Sequence, residues 1–127
     1  MNFRRNKYRV APANERTLDG RVYASKAEMM RAKELWMLYA AGELRWIIEQ
    51  PTFRLGCNEN VYRPDFMYQC RDGVVSVEDV KGVETAKFKK DKRLWKEYGP
   101  IRLTLVKRKG KHWKFEHIEV EGKSYEH

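Results

Sequence analysis

The stretch from Tyr62 to Gly82 limits what this chain can fold into more than any other. Two runs rich in β-branched and aromatic residues, Tyr-Arg-Pro-Asp-Phe-Met-Tyr and Val-Ser-Val-Glu-Asp-Val-Lys, flank Cys70-Arg71-Asp72-Gly73. Such runs separated by turn residues make a β-hairpin. One strand carries Asp65 and the other Asp79 and Lys81. Residues two apart on a strand share a face, so Asp79 and Lys81 project together. Turn length decides whether Asp65 joins them. A three-residue loop Arg71-Asp72-Gly73, with Gly73 left-handed, sets Cys70 opposite Val74, Met67 opposite Val77 and Asp65 opposite Asp79. A two-residue Asp72-Gly73 turn pairs Asp65 with Val80 instead, on the other face, because a one-residue slip inverts every side chain. The longer turn is favoured, since it also places Met67 and Val77 on one face.

Two carboxylates side by side on a sheet repel each other. A divalent cation reverses that sign: Mg²⁺ takes hard oxygen ligands, commonly one or two carboxylates with several waters. A lysine beside it can orient a water and stabilise charge developing on a phosphate. The bland alternative for Asp79 and Lys81 is a solvated surface pair, which contributes little to stability.

At these residues the chain resembles the PD-(D/E)xK nuclease superfamily. Pro64-Asp65, followed by Asp79-Val80-Lys81, matches its signature. The longer string Tyr-x-x-Asp-Phe-x-Tyr … Val-Glu-Asp-Val-Lys-Gly is similar to small phage-encoded members, among them Holliday-junction resolvase-like nucleases. The resemblance runs from about Ser25 to Val106. It implies an α/β fold with a restriction-endonuclease-like mixed sheet flanked by helices, its core ordered helix-strand-strand-strand-helix-strand. It also implies a Mg²⁺-dependent endonuclease in which Mn²⁺ substitutes, with Asp65, Asp79 and Glu28 near the metal. Gln50 matches a glutamine of the similar phage proteins, although a strand-end hydrogen bond would account for it equally.

The composition fits a polyanion partner. Among 127 residues, 27 Lys and Arg against 18 Asp and Glu leave a net charge of +9, the electrostatic footprint of a nucleic-acid binder. With 42% apolar residues the chain can build one core and one domain. No apolar run reaches membrane-spanning length and no hydrophobic signal region opens the chain, so a cytoplasmic location is expected, that of a bacterial host if the protein is phage-encoded. Cys57 and Cys70 lack metal-ligand spacing and read as reduced thiols.

Residues 1–24 form a basic arm with Arg4, Arg5, Lys7 and Arg9, either frayed or ordering on DNA phosphates. Residues 25–127 form the single nuclease domain. Ser25-Lys26-Ala27-Glu28 opens a helix as a capping box, running to about Ala41 before Gly42, with Met29, Ala32, Leu35, Trp36, Tyr39 and Ala40 as its apolar face. Glu28 therefore has two readings, cap or site residue, and one glutamate does not easily serve both. Glu43–Leu55 reads as a strand broken at Pro51. Thr85 caps a second helix to about Tyr98, stopped by Gly99-Pro100. Its outer surface carries Lys87, Lys89, Lys90, Lys92, Arg93 and Lys96, a solvated face or a phosphate track. Strands at Ile101–Val106 and His112–Val120 follow, joined by the basic turn Lys107–Lys111.

These readings converge on a structure-specific DNA endonuclease of the junction-resolving kind, acting as a homodimer on branched DNA. Trp36, Tyr39 and Trp46 are candidates for the dimer interface. Two alternatives remain: a noncatalytic nucleic-acid-binding module, which has no need of facing aspartates, and a restriction-type enzyme, for whose base-reading parts the chain leaves little room.

Overall fold

The computed structural model describes residues 10–57 and 60–122. In chain order these form a 3-10 turn (Ala13–Glu15), β1 (Thr17–Leu18), β2 (Arg21–Val22), α1 (Lys26–Ala40), β3 (Leu44–Glu49), β4 (Phe53–Arg54), β5 (Val61–Tyr62), β6 (Phe66–Cys70), β7 (Val75–Val80), α2 (Ala86–Tyr98), β8 (Leu103–Lys109) and β9 (His112–Ile118). The main sheet has the order β3-β6-β7-β8-β9. Its neighbours pair antiparallel except β7 and β8, which run parallel. Parallel neighbours need a crossover, and α2 supplies it.

The central hairpin takes the longer-turn register. Met67 stands opposite Val77 and Phe66 opposite Glu78, the Cys70 N–H reaches the Val74 carbonyl at 2.8 Å, and Gly73 sits at φ +100°. A side chain there would strain the backbone. Continued by one residue, this register sets Asp65 against Asp79.

Alternation sorts the two strands onto two cores. Phe66 and Tyr68 face α1, packing with Ala32, Leu35, Leu44 and Tyr23. Val77 faces α2, packing with Phe88, Trp95, Leu103, Leu105 and Tyr62. The sheet is thus a mixed one with a helix on each face, which buries apolar surface on both sides. Trp95 anchors the second core: its indole N–H donates to the Ile101 carbonyl at 2.7 Å. Gly99 lies so close beneath it that a Cβ would come within 2.6 Å of the Trp95 carbonyl, so the stop after α2 needs glycine for space.

Several boundaries differ from those read in the sequence. The Glu43–Leu55 strand divides: β3 joins the main sheet, but Gln50 turns left-handed at φ +52° before Pro51, and β4 leaves to pair with β5 in a small separate ribbon. Tyr62 therefore belongs to that ribbon and not to the hairpin strand. The last two strands pair as far as Lys109 and His112, so the basic turn shrinks to its tip. On α1 the buried stripe is Glu28, Ala32 and Leu35, narrower than the apolar face expected, and Trp36 and Tyr39 are exposed. Arg4, Arg5, Lys7 and Arg9 lie outside the described residues, but residues 13–22 fold onto the domain and Tyr23 is buried. No helix among the described residues is long and apolar enough to cross a membrane.

Candidate metal and phosphate site

Asp79 is fixed on β7 facing α2 and is only 2% exposed. Asp65 comes to it from the end of β6 and is clamped on both sides. Its carbonyl accepts the Gln50 N–H at 2.9 Å, and its carboxylate accepts the Val80 N–H at 2.8 Å. The backbone thus holds Asp65 in line with Asp79, and the two carboxyls hydrogen-bond to each other. The Tyr62 hydroxyl donates to the second oxygen of Asp79, brought there by the β4–β5 ribbon. Lys81 stands two residues along the same face, its Nζ 3.3 Å from Asp79 and 4.3 Å above the Phe88 ring.

Glu28 arrives from the other side of the sheet. It lies in the first turn of α1, and the Ser25 hydroxyl caps its backbone N–H at 3.0 Å. Its carboxyl hydrogen-bonds with Asp65 and with the backbone N–H of Ala24. Half of the capping box thus forms: Ser25 caps the Glu28 N–H, while the Glu28 carboxyl takes the Ala24 N–H and turns to Asp65.

Burial and mutual repulsion set the electrostatics. Burial pushes Asp79 up to about 8, with the neighbouring Asp65 next in weight. Burial also raises Asp65, to about 6, against the lowering by its bonds to Asp79 and Val80. Glu28 is raised mainly by burial, with the charge of Asp79 adding to it. At neutral pH the group holds protons that isolated carboxyls would have lost. It behaves as one coupled unit.

As they stand, no three His, Cys, Asp or Glu side chains among the described residues are disposed to hold a metal ion. The three carboxyls form a hydrogen-bonded row and do not surround a point. The donor chemistry nevertheless fits Mg²⁺: the oxygens are hard, they are crowded enough to keep their protons, and two carboxylates with water suffice for this ion.

The other residues singled out in the sequence fall into two groups. On α2, Lys89, Lys90 and Arg93 are exposed, whereas Lys87 is tied to Asp91 at 2.8 Å and Lys92 to Glu84 at 2.7 Å. Gln50 touches the site through its backbone. Two features escaped the sequence reading. Tyr62 reads in the sequence as a strand residue, although its place three residues before Asp65 is a usable signal. Glu49 at the end of β3 accepts from Tyr23 at 2.7 Å and from Arg21 at 3.0 Å. No pattern pointed to this contact, because β2 is too short to read.

By residues 5–114 the chain belongs to the domain family described as "Protein of unknown function (DUF1064)". No curated protein and no solved structure matches it.

Proposed function

We propose that this protein is a Mg²⁺-dependent endonuclease of the PD-(D/E)xK kind, with a restriction-endonuclease-like core, acting on branched DNA. The observation that carries the reading is the meeting of Glu28, Asp65 and Asp79 with Lys81. Three acids gather with the half-buried Lys81 beside Asp79. A fold gains nothing in stability from such crowding, and strongly perturbed carboxyls of this sort cluster at functional sites.

Asp65 and Asp79 would hold the metal, with Glu28 as a further ligand or as holder of a water; Mn²⁺ would serve in its place. When bound, the ion supplies positive charge and makes its water more acidic. The remaining work falls to the chain. Val80, Gln50 and Tyr62 hold the two aspartates side by side through hydrogen bonds to their carboxyl and backbone oxygens. Lys81, steadied by Asp79 and the Phe88 ring, places an ammonium where a scissile phosphate gains charge. Lys89, Lys90 and Arg93 on α2 would contact the backbone, giving affinity with little sequence preference. The basic arm with Arg4, Arg5, Lys7 and Arg9 would add to that grip.

A four-way junction requires two nicks related by a two-fold axis, and two-fold pairing is the commonest way to supply a second site. Trp36 and Tyr39, packed edge to face at 5.6 Å and exposed on the outside of α1, favour that helix as the interface. Trp46 is half-buried, its indole N–H bonded to Gln69 at 2.9 Å, and contributes less.

The experiment is digestion of labelled duplex, flap, fork and four-way junction DNA with Mg²⁺ or EDTA, alongside light scattering. The reading expects Mg²⁺-dependent paired nicks in junctions and about twice the 15.2 kDa chain mass. Binding without cleavage of any of these substrates would leave a noncatalytic nucleic-acid-binding module.

A further inference from the structure

The β8–β9 pair outruns the sheet it belongs to. β7 pairs with β8 only as far as Val80 and Val106, and the Lys81 N–H closes that ladder on the Val106 carbonyl at 3.0 Å. Beyond it β8 and β9 continue alone for three more rungs, Lys107–Lys114, Arg108–Trp113 and Lys109–His112. The projecting arm starts beside the candidate site, because Lys81 and Val106 share a hydrogen bond.

The arm is poorly buried and strongly basic. Of the seven residues of β9 only Ile118 is buried, and Phe115 keeps 46% of its surface exposed. Alternation puts Trp113 and Phe115 on one face of the strand. Each ring carries a guanidinium: Arg108 lies 4.6 Å from the Trp113 centroid and Arg31 5.4 Å from that of Phe115. Lys107 is matched by Glu84 and Glu116 at 3.6 and 3.3 Å. Lys109, Lys111 and Lys114 have no carboxylate partner among the described residues. Lysines on an edge strand also discourage sheet-to-sheet association. That accounts for the charges but not for the exposed Phe115 ring; Trp113 beside it is half-buried, its indole N–H donating to Glu34 at 2.8 Å.

We propose that this arm is a second nucleic-acid contact, in which Phe115, with the half-buried Trp113 beside it, stacks against an unpaired base, while Arg108 on the same face, Lys111 at the tip and, from the opposite face, Lys109 and Lys114 hold the phosphates of a strand rounding the arm. Aromatic faces flanked by cations suit single strands because every base has a face to stack and every nucleotide a phosphate. The proposal deepens the nuclease reading and rests on it for the substrate. Unpaired nucleotides leaving the Asp65–Asp79 site would run onto the arm, which favours branched DNA over plain duplex.

The test uses the full chain in EDTA, so that binding is separated from cleavage. Fluorescence anisotropy follows a labelled oligothymidine and a blunt duplex of equal length. Phe115→Leu keeps an apolar side chain but removes the stacking face, and the ring's exposure makes the change tolerable to the fold. It should weaken oligothymidine binding roughly five- to 150-fold and leave duplex binding within about twofold. Changing Lys109, Lys111 and Lys114 to Gln should lower the salt slope of oligothymidine binding by about two, at roughly 0.7 per phosphate contact. Wild-type affinity in Phe115→Leu, or an unchanged salt slope in the triple variant, overturns the proposal. Plasmid nicking with Mg²⁺ tells its failure from that of the nuclease reading. Nicking together with a neutral Phe115→Leu removes the arm alone. A Phe115→Leu binding defect without nicking on any DNA keeps the contact and removes the site.

Discussion

Glu78 and Asp79 are neighbours on β7, each 2% exposed, yet they solve the burial of a carboxyl in opposite ways. Glu78 faces α1 and meets a matched partner. Arg31 donates to both of its oxygens at 2.8 Å, Tyr68 adds a hydroxyl, and Glu34 takes the remaining side of the guanidinium at 3.0 Å. Asp79 faces α2 and meets another acid, with Glu28 behind it and, among the described residues, Lys81 in opposition. A forked guanidinium on a carboxylate is among the strongest pairings available to a protein. Two carboxyls sharing a proton are not. The contrast separates a charge-matched acid from an unmatched one without appeal to exposure, since exposure is the same. Charge balance makes the distinction: Glu78 is matched by a guanidinium, whereas burial beside Asp65 favours the protonated form of Asp79.

The comparison breaks first at Asp79. Asp65→Asn and Asp79→Asn should each abolish Mg²⁺-dependent nicking while DNA binding and folding persist, because an amide ligates Mg²⁺ poorly. Nicking at the wild-type rate in either variant would sink the assignment. Next comes Lys81→Ala, which should slow single-turnover cleavage on the order of 10²–10³-fold with metal uptake retained. If that variant merely unfolds, Lys81 is a structural partner of Asp79. Glu78→Gln should act in the opposite sense. It leaves Arg31 without its main partner and should cost about 3 kcal/mol of stability, the low end for breaking a buried pair since Glu34 remains, while the cleavage rate per folded molecule holds. Urea unfolding with parallel activity measurement separates the two effects.

The two faces also differ in how their stability depends on pH. Asp65 and Asp79, raised to about 6 and about 8 from 3.8, bind protons in the folded state that the unfolded chain has released. The stability from these sites is complete below about pH 4 and is lost as pH rises toward about 8. Metal-free thermal melts should show the melting temperature falling over that range in the wild type and much less in Asp79→Asn. Parallel curves would mean that the two carboxyls are not coupled as described.

Much of this was legible before the structure, and the reasons are local. Ser25 and Thr85 cap the two helices as their side chains predict, each accepting the backbone N–H three residues on. The Arg71-Asp72-Gly73 loop sets the register of the hairpin, and with it the meeting of Asp65 and Asp79. What could not be read depends on distance. The break at Gln50 arises because β4 finds its partner in β5, a pairing between short segments that carry no periodic pattern. Glu78 carries no signal of burial in the sequence, and its place follows only once both faces of β7 are seen to be covered. Its partner Arg31 lies 47 residues away, on a face of α1 that the apolar stripe alone does not assign. Tyr62 was visible as a residue but not as a donor, because the ribbon that carries it was read as part of the hairpin.

The central claim is that the Asp79 face is balanced by a divalent cation and the Glu78 face is complete without one. Calorimetric titration of Mg²⁺ or Mn²⁺ at pH 7, repeated in buffers of different ionisation enthalpy, tests it directly. The account predicts one ion per wild-type chain with release of the proton shared by Asp65 and Asp79, unchanged uptake in Glu78→Gln and none in Asp79→Asn. Equal uptake by wild type and Asp79→Asn, or binding without proton release, would contradict it.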